Sequence, residues 1–247
     1  MTIQQTKTLL GLGFILLSGA ALAEPANFSW VATVSGGAAF VTQPAQNQTL
    51  TLTQDNKTVT NYYTPQSSQN LTGMAGVFIG VEKNFSMVAW QIGFGYYYLL
   101  PFDVKGTASY PLNNVVAQSH YQYKVQSQQL LVESKLLLPL AKRWYPYVMV
   151  GVGPALNRSS DYSETPFNGD NSGNYVFGDQ QTIAFSYSVG AGLDVALTDA
   201  WRLGIGYRFS DLGAVGLGKP TNQTADVTLN QNHLYAQSVL LQLSYVF

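Results

Sequence analysis

Few side chains in this chain can run covalent or metal chemistry. There is no cysteine, which excludes thiol catalysis, disulfides and thiolate metal sites. The two histidines are His120 and His233. A serine nucleophile needs a histidine base, and that base needs a carboxylate to orient it. Ser119 precedes His120, and Asp103 and Asp226 lie in polar stretches, but any serine-rich surface offers as much. The histidines show no His-x-His or other paired ligand spacing. The reading is therefore of a protein that is not an enzyme, with no catalytic residue, cofactor or metal expected.

The other chemistry available is electrostatic, and here position matters. Only 10% of residues are charged, against roughly 25% in a typical soluble domain, yet the mean hydropathy is only +0.03. Six charges fall inside alternating apolar segments: Glu82, Glu133, Lys135, Asp194, Arg202 and Arg208. All lie on the parity opposite to the aromatics. Lys124 and Asp211 share the aromatic parity but sit at segment ends. The six comprise three acids and three bases.

Those segments are the elements that must position the charges. Side chains of a strand alternate between two faces. Period-2 patterning predicts eight strands: Phe28 to Val41, Gly73 to Glu82, Met87 to Leu99, Tyr123 to Leu138, Tyr145 to Ala155, Thr182 to Leu197, Trp201 to Ser210 and His233 to Phe247. The third is the cleanest, with Val88, Trp90, Ile92, Phe94, Tyr96 and Tyr98 on one side. Between strands, long polar connections (42–72, 100–122, 157–181, 211–232) alternate with three short turns. No helical stripe is present.

Alternating long and short connections suit strands that cross a membrane, with every second connection on the same side. In hydrocarbon a sheet must close on itself, because an open edge leaves backbone groups unpaired. The fold class expected is all-β, an eight-stranded antiparallel up-and-down transmembrane barrel. Arginine or lysine on the lipid face costs about 2–4 kcal/mol near mid-membrane, so the charge-bearing parity is the inner one. An eight-stranded barrel is only wide enough for side chains to fill. Enclosed charges must pair. The six are thus expected to form an ion-pair network that plugs the lumen. Glycine pairs such as Gly151/Gly153 and Gly204/Gly206 make room there rather than bind nucleotide.

Residues 1–23 read as a cleaved signal peptide: Lys7 in a polar start, an apolar core from Leu9 to Leu17, and Ala21-Leu22-Ala23 before the cut. The remaining residues, 24–247, form the barrel and its four long connections. The net charge of −1 gives no reason to expect nucleic acid.

The chain resembles the small eight-stranded outer-membrane barrels of Gram-negative bacteria, the OmpA-like and opacity-type surface proteins. The likeness rests on the alternating strand directly after the signal, on GYRFSDLG (Gly206 to Gly213), and on the final Tyr245-Val246-Phe247. The resemblance implies insertion from the periplasm, with the termini inside and the four long connections outside the cell. It implies that Tyr245 and Phe247 are read by the barrel-assembly machinery. Deleting Phe247 is expected to impair insertion while barely changing folded stability. Outer-membrane lipid and lipopolysaccharide are the expected surroundings of a monomer. The connections, rich in Asn, Gln, Ser, Thr and Tyr, suit adaptable contacts and point to adhesion on host or matrix molecules. The alternative is a narrow channel for ions or small solutes, opposed by the bulky inner residues Tyr97, Leu131, Leu137 and Met149. An outer-membrane enzyme is the least favoured reading.

Overall fold

A computed structural model describes residues 28–42, 47–54, 57–66, 69–112, 115–141, 143–167, 176–220, 224–225 and 228–247. The expected signal peptide and Asp226 lie outside these. The strands are β1 (Phe28–Thr42), β2 (Gln48–Gln54), β3 (Lys57–Pro65), β4 (Gln69–Asn84), β5 (Ala89–Leu112), β6 (Val115–Leu137), β7 (Trp144–Pro166), β8 (Gln180–Ala196), β9 (Trp201–Asp211), β10 (Val215–Gly216), β11 (Thr224–Ala225), β12 (Asn230–Gln231) and β13 (Tyr235–Val246).

Eight of them close a ring in the order β1-β4-β5-β6-β7-β8-β9-β13, every pair antiparallel. β13 pairs with β1 at the seam, for example Val34 opposite Leu243. The seam ends where Trp30 and Phe247 exchange both backbone hydrogen bonds, at 2.7 and 2.9 Å. Short turns join β4 to β5, β6 to β7 and β8 to β9. In the last, Thr198 Oγ1 accepts from the backbone N–H groups of Ala200 and Trp201.

Near the turns the outer face is apolar and rimmed with aromatics: Trp30, Trp144, Trp201, Tyr245 and Phe247 are all exposed. The middle of that face carries Val77, Ile79, Phe94, Val132, Val150, Ile205 and Leu241, also exposed. This is the lipid-facing belt of a membrane barrel.

The far end differs from the sequence reading. Connections 100–122 and 157–181, read as polar loops, are strand through much of their length. β5, β6 and β7 run for 24, 23 and 23 residues, about twice the 9–11 that cross a bilayer. The 42–72 stretch contains the β2–β3 hairpin, and β3 pairs with β5 between Tyr62–Pro65 and Gly106–Ser109. Two bulges explain why the pattern escaped notice. Between Leu99 and Phe102, β5 carries one residue more than β6 opposite, and Pro101, with no N–H to pair, is suited to that place. Odd residues face inward below the bulge; Phe102, Val104, Ala108 and Tyr110 face inward above it. On β7 the extra residue falls higher, opposite Tyr123 of β6, where Asp161 adopts φ 57°. A bulge shifts the side-chain phase by one.

The 211–232 stretch was likewise read as an exposed connection. Instead its described residues fold into the mouth of the barrel, with Leu212, Val215, Leu217 and Leu229 buried and β10 paired to β12. Asp211, expected to face outward, is buried: its Oδ1 accepts from Gly213 N–H at 2.9 Å. Leucines at these positions have a dry interior to enter, which overrides the polar composition around them.

Candidate functional site

The interior has two storeys. In the membrane-level storey all six charges expected to face inward do so, as three pairs. Arg202, from β9, makes a bidentate pair with Glu82 of β4, at 2.6 and 2.8 Å. Gln91 adds a third hydrogen bond to the same carboxylate at 2.7 Å. Arg208 Nη2 donates to Glu133 Oε1 at 2.5 Å, and Tyr97 OH donates to Glu133 Oε2 at 2.9 Å. The Arg208 guanidinium lies 3.6 Å above the Tyr97 ring. Lys135 Nζ stands 2.6 Å from Asp194 Oδ2 and 3.8 Å from the centre of the Tyr147 ring. Gln242 bridges Asp194 Oδ1 and Tyr147 OH.

Glycine makes these placements feasible. A Cβ added at Gly204 would stand 2.0 Å from Asp194 Oδ1, and one at Gly206 would stand 2.1 Å from Tyr147 OH. Beside Tyr97, Glu133, Lys135, Tyr147, Arg208 and Gln242 a cavity of about 40 Å³ remains. That holds a few waters, not a solute. Every charge is thus paired, as burial demands.

The upper storey is mainly aromatic and aliphatic, with polar groups such as Asn61, Ser119 and Asn157 buried among them. Tyr63 meets Tyr110, Tyr121 and Phe177 edge-on at 6.4, 5.8 and 5.9 Å, and Tyr162 meets Phe177 at 4.9 Å. Edge-to-face contacts satisfy the ring quadrupoles. Tyr110 OH donates to the Glu164 carboxylate. Burial first, and the Glu164 charge next to it, push the hydroxyls of Tyr121 and Tyr162 above the ordinary tyrosine range, and burial does the same to Tyr110. The inward-folded segment completes the packing. Asn157 Nδ2 donates to the carbonyls of Leu212 and Ala214, each at 2.8 Å, and Ser186 Oγ donates to Asp211 O at 2.7 Å.

Among the described residues, Ser119 and His120 do not come together as nucleophile and base. Ser119 faces inward toward Tyr110 OH, while His120 faces outward against Phe167, ring centroids 4.1 Å apart. His233 Nδ1 lies 2.9 Å from Asp211 Oδ2, a pairing that the sequence reading missed. Tyr97, Tyr147, Gln91 and Gln242, the neutral partners of the charges, were missed too; their inward parity was their only signal. Tyr245 and Phe247 stack on each other at 5.5 Å on the lower rim, with Tyr245 also 4.7 Å from Trp201. Among the described residues no group of three or more His, Asp or Glu could hold a metal ion.

Comparison with known proteins agrees with this architecture. No curated protein matches the sequence. Among solved structures, the outer membrane protease OmpT from Escherichia coli shares 10% identity at a TM-score of 0.50, with 89% of this chain and 97% of that chain covered. Neisserial surface protein A shares 12% identity at 0.41, covering 90% and 98%. OprG from Pseudomonas aeruginosa shares 12% at 0.43, covering 88% and 95%. At 10% identity the likeness to the protease structure is one of fold alone. Residues 12–247 match the family described as outer membrane protein beta-barrel domain. The chain therefore belongs to that family of Gram-negative outer-membrane β-barrels, and its place is the bacterial outer membrane.

Proposed function

We propose that this is a closed surface barrel acting through the part that stands beyond the lipid belt, as an adhesive contact with host or matrix molecules. The observation that carries the reading is the filled interior: paired charges at membrane level, and a plug of leucine and tyrosine above them. An interior filled in this way leaves the molecule its outer surface to work with. In this reading residues 1–23 are removed on export. The extension faces outside, and Tyr245 and Phe247 serve the assembly machinery.

The test shortens the β5–β6 hairpin by joining residue 103 to residue 124 through a two-residue turn. The shortened barrel should lose binding to host cells and matrix. Unchanged binding overturns the adhesive reading. A narrow channel is the second reading, favoured by the small inner residues Ser186, Ser188, Gly190 and Gly192 along β8. Planar-bilayer recording decides between them: a closed lumen shows no large steady conductance.

A further inference from the structure

The outer wall of the tall hairpins changes chemistry in bands with height. Lowest is the lipid belt, which on β5 ends at Leu100, exposed beside the Pro101 bulge. Directly above comes a band of charge. Asp103 sits opposite Lys124, whose Nζ lies 3.1 Å from Asp161, and Arg158 pairs with Asp179 at 3.6 Å. Lys105 belongs to the next row, beside Gln122 and Ser163.

Above that, charge stops. One row across the sheet reads Thr64, Thr107, His120, Thr165, and the next Tyr62, Ser109, Gln118, Phe167. No carboxylate, lysine or arginine faces outward in these two rows. Tyr62 and Phe167 are half exposed, at 52% and 51%, and His120 packs against Phe167 with the two rings tilted by 45°. Neither ring is drawn into the core: Tyr62 lies on β3, and Phe167, one residue past the end of β7, is held by its backbone N–H donating to Gln118 O at 3.0 Å.

The two rings flank two intervening strands, so they stand about 14 Å apart at the usual strand spacing. The hydroxyls and amide of Ser109, Thr107 and Gln118 lie between them. Aromatic faces at both ends with neutral donors and acceptors between fit a pyranose chain, which offers C–H faces to the rings and hydroxyls to the polar groups. From Leu100 to Ser109, nine residues at about 3.3 Å each and tilted about 40° rise roughly 23 Å above the belt. The face looks sideways, along the membrane plane, toward neighbours in the same leaflet rather than up toward another cell.

We propose that this uncharged band binds the saccharide chain of neighbouring lipopolysaccharide. The succession of apolar, charged and neutral polar bands on the wall follows that molecule's own succession of acyl chains, phosphates and sugar. The inference goes beyond adhesion but shares its orientation, with the extension outside the cell.

The probe is the saccharide freed from lipopolysaccharide by mild acid, titrated into the full chain in detergent micelles. The wild type should bind it. A variant with Tyr62→Ser and Phe167→Ser should bind about tenfold more weakly, the loss expected from two stacking contacts. A variant with Lys105→Ala and Lys124→Ala should bind as the wild type does. Should the serine variant fail to fold, Tyr62→Leu with Phe167→Leu keeps the apolar cover and removes the rings, and should weaken binding likewise. The proposal falls if the wild type does not bind the freed saccharide, if the ring variants bind equally well, or if only the lysine variant loses affinity. Binding of neutral animal-cell glycans in place of the bacterial saccharide also overturns it. Host-cell adhesion by the shortened hairpin reads a different partner, so either result can fail alone.

Discussion

The two storeys of this barrel are built to opposite rules. At membrane level Val150, Ile205 and Leu241 face out while Glu82, Arg208 and Asp194 face in. In the extension Phe102, Tyr110, Tyr121 and Leu217 face in while Asp103, Lys124 and Thr165 face out. The same strands pass through both. What inverts is the solvent. Lipid accepts aliphatic groups and rejects charge, so the lower interior must hold the polar residues and pair them. Water reverses the preference, and the upper interior becomes mainly aromatic and aliphatic, with single polar groups such as Asn61 and Asn157 enclosed in it. A single barrel thus uses ion pairs below and dispersion above to fill one continuous space.

The sharpest way to break the contrast is to put one strand of the extension out of phase. Inserting one alanine between Phe102 and Asp103 shifts the phase of β5 beyond it and turns Val104, Ala108 and Tyr110 toward water. The extension should come apart, exposing Lys105 and Lys124 to trypsin while the membrane-level storey stays protected. Next in size is Arg208→Ala, which strands Glu133 and should cost about 3–5 kcal/mol, read by urea unfolding in lipid vesicles. Lys124→Ala, breaking an exposed pair, should change little. The lipid face gives the third contrast. Ile205→Arg should cost about 2–4 kcal/mol, while Thr107→Arg, also outward but above the belt, should stay within about 0.5 kcal/mol.

Deleting Phe247 removes the two backbone bonds to Trp30, so folded stability should fall by about 1–3 kcal/mol. That replaces the sequence expectation of almost no loss; impaired insertion in cells remains the proposal. The smallest effect is alkaline. The hydroxyls of Tyr110, Tyr121 and Tyr162 are raised in the folded protein. Their protonated form is therefore favoured by folding. Stability from them is complete below the unfolded tyrosine value of about 10 and declines as the pH climbs beyond it. Ultraviolet titration should show the buried tyrosines, Tyr110, Tyr121 and Tyr162 among them, lagging behind the exposed ones.

The membrane storey was legible because its code is severe. One face tolerates no charge, so Glu82, Lys135 and Arg202 declared the inner parity by themselves. Which charge meets which was not legible, since Arg202 meets Glu82 across the ring from a distant part of the chain. The extension was hidden for a different reason. Its inner residues do alternate, in Phe102-Val104-Gly106-Ala108-Tyr110 and in Tyr121-Tyr123-Val125. The outer positions are hydroxyls, amides and charges, however, and prolines punctuate the run. Without the phase shift at Leu100–Pro101 the pattern reads as noise. The burial of Leu212, Leu217 and Leu229 was not legible either, because they are spaced irregularly and owe it to a cavity made by other strands.

The bond pair between Trp30 and Phe247 also sets an order of events. It joins the two strands that lie furthest apart along the ring's chain path, and contacts of such separation are slow to form. The sheet can grow hairpin by hairpin from its short turns, but this seam must wait for the last strand. Until then β1 and β13 are two bare edges, each able to pair with any other strand at hand. A factor that occupied one of these edges during synthesis would act as a placeholder, and its release would coincide with closure.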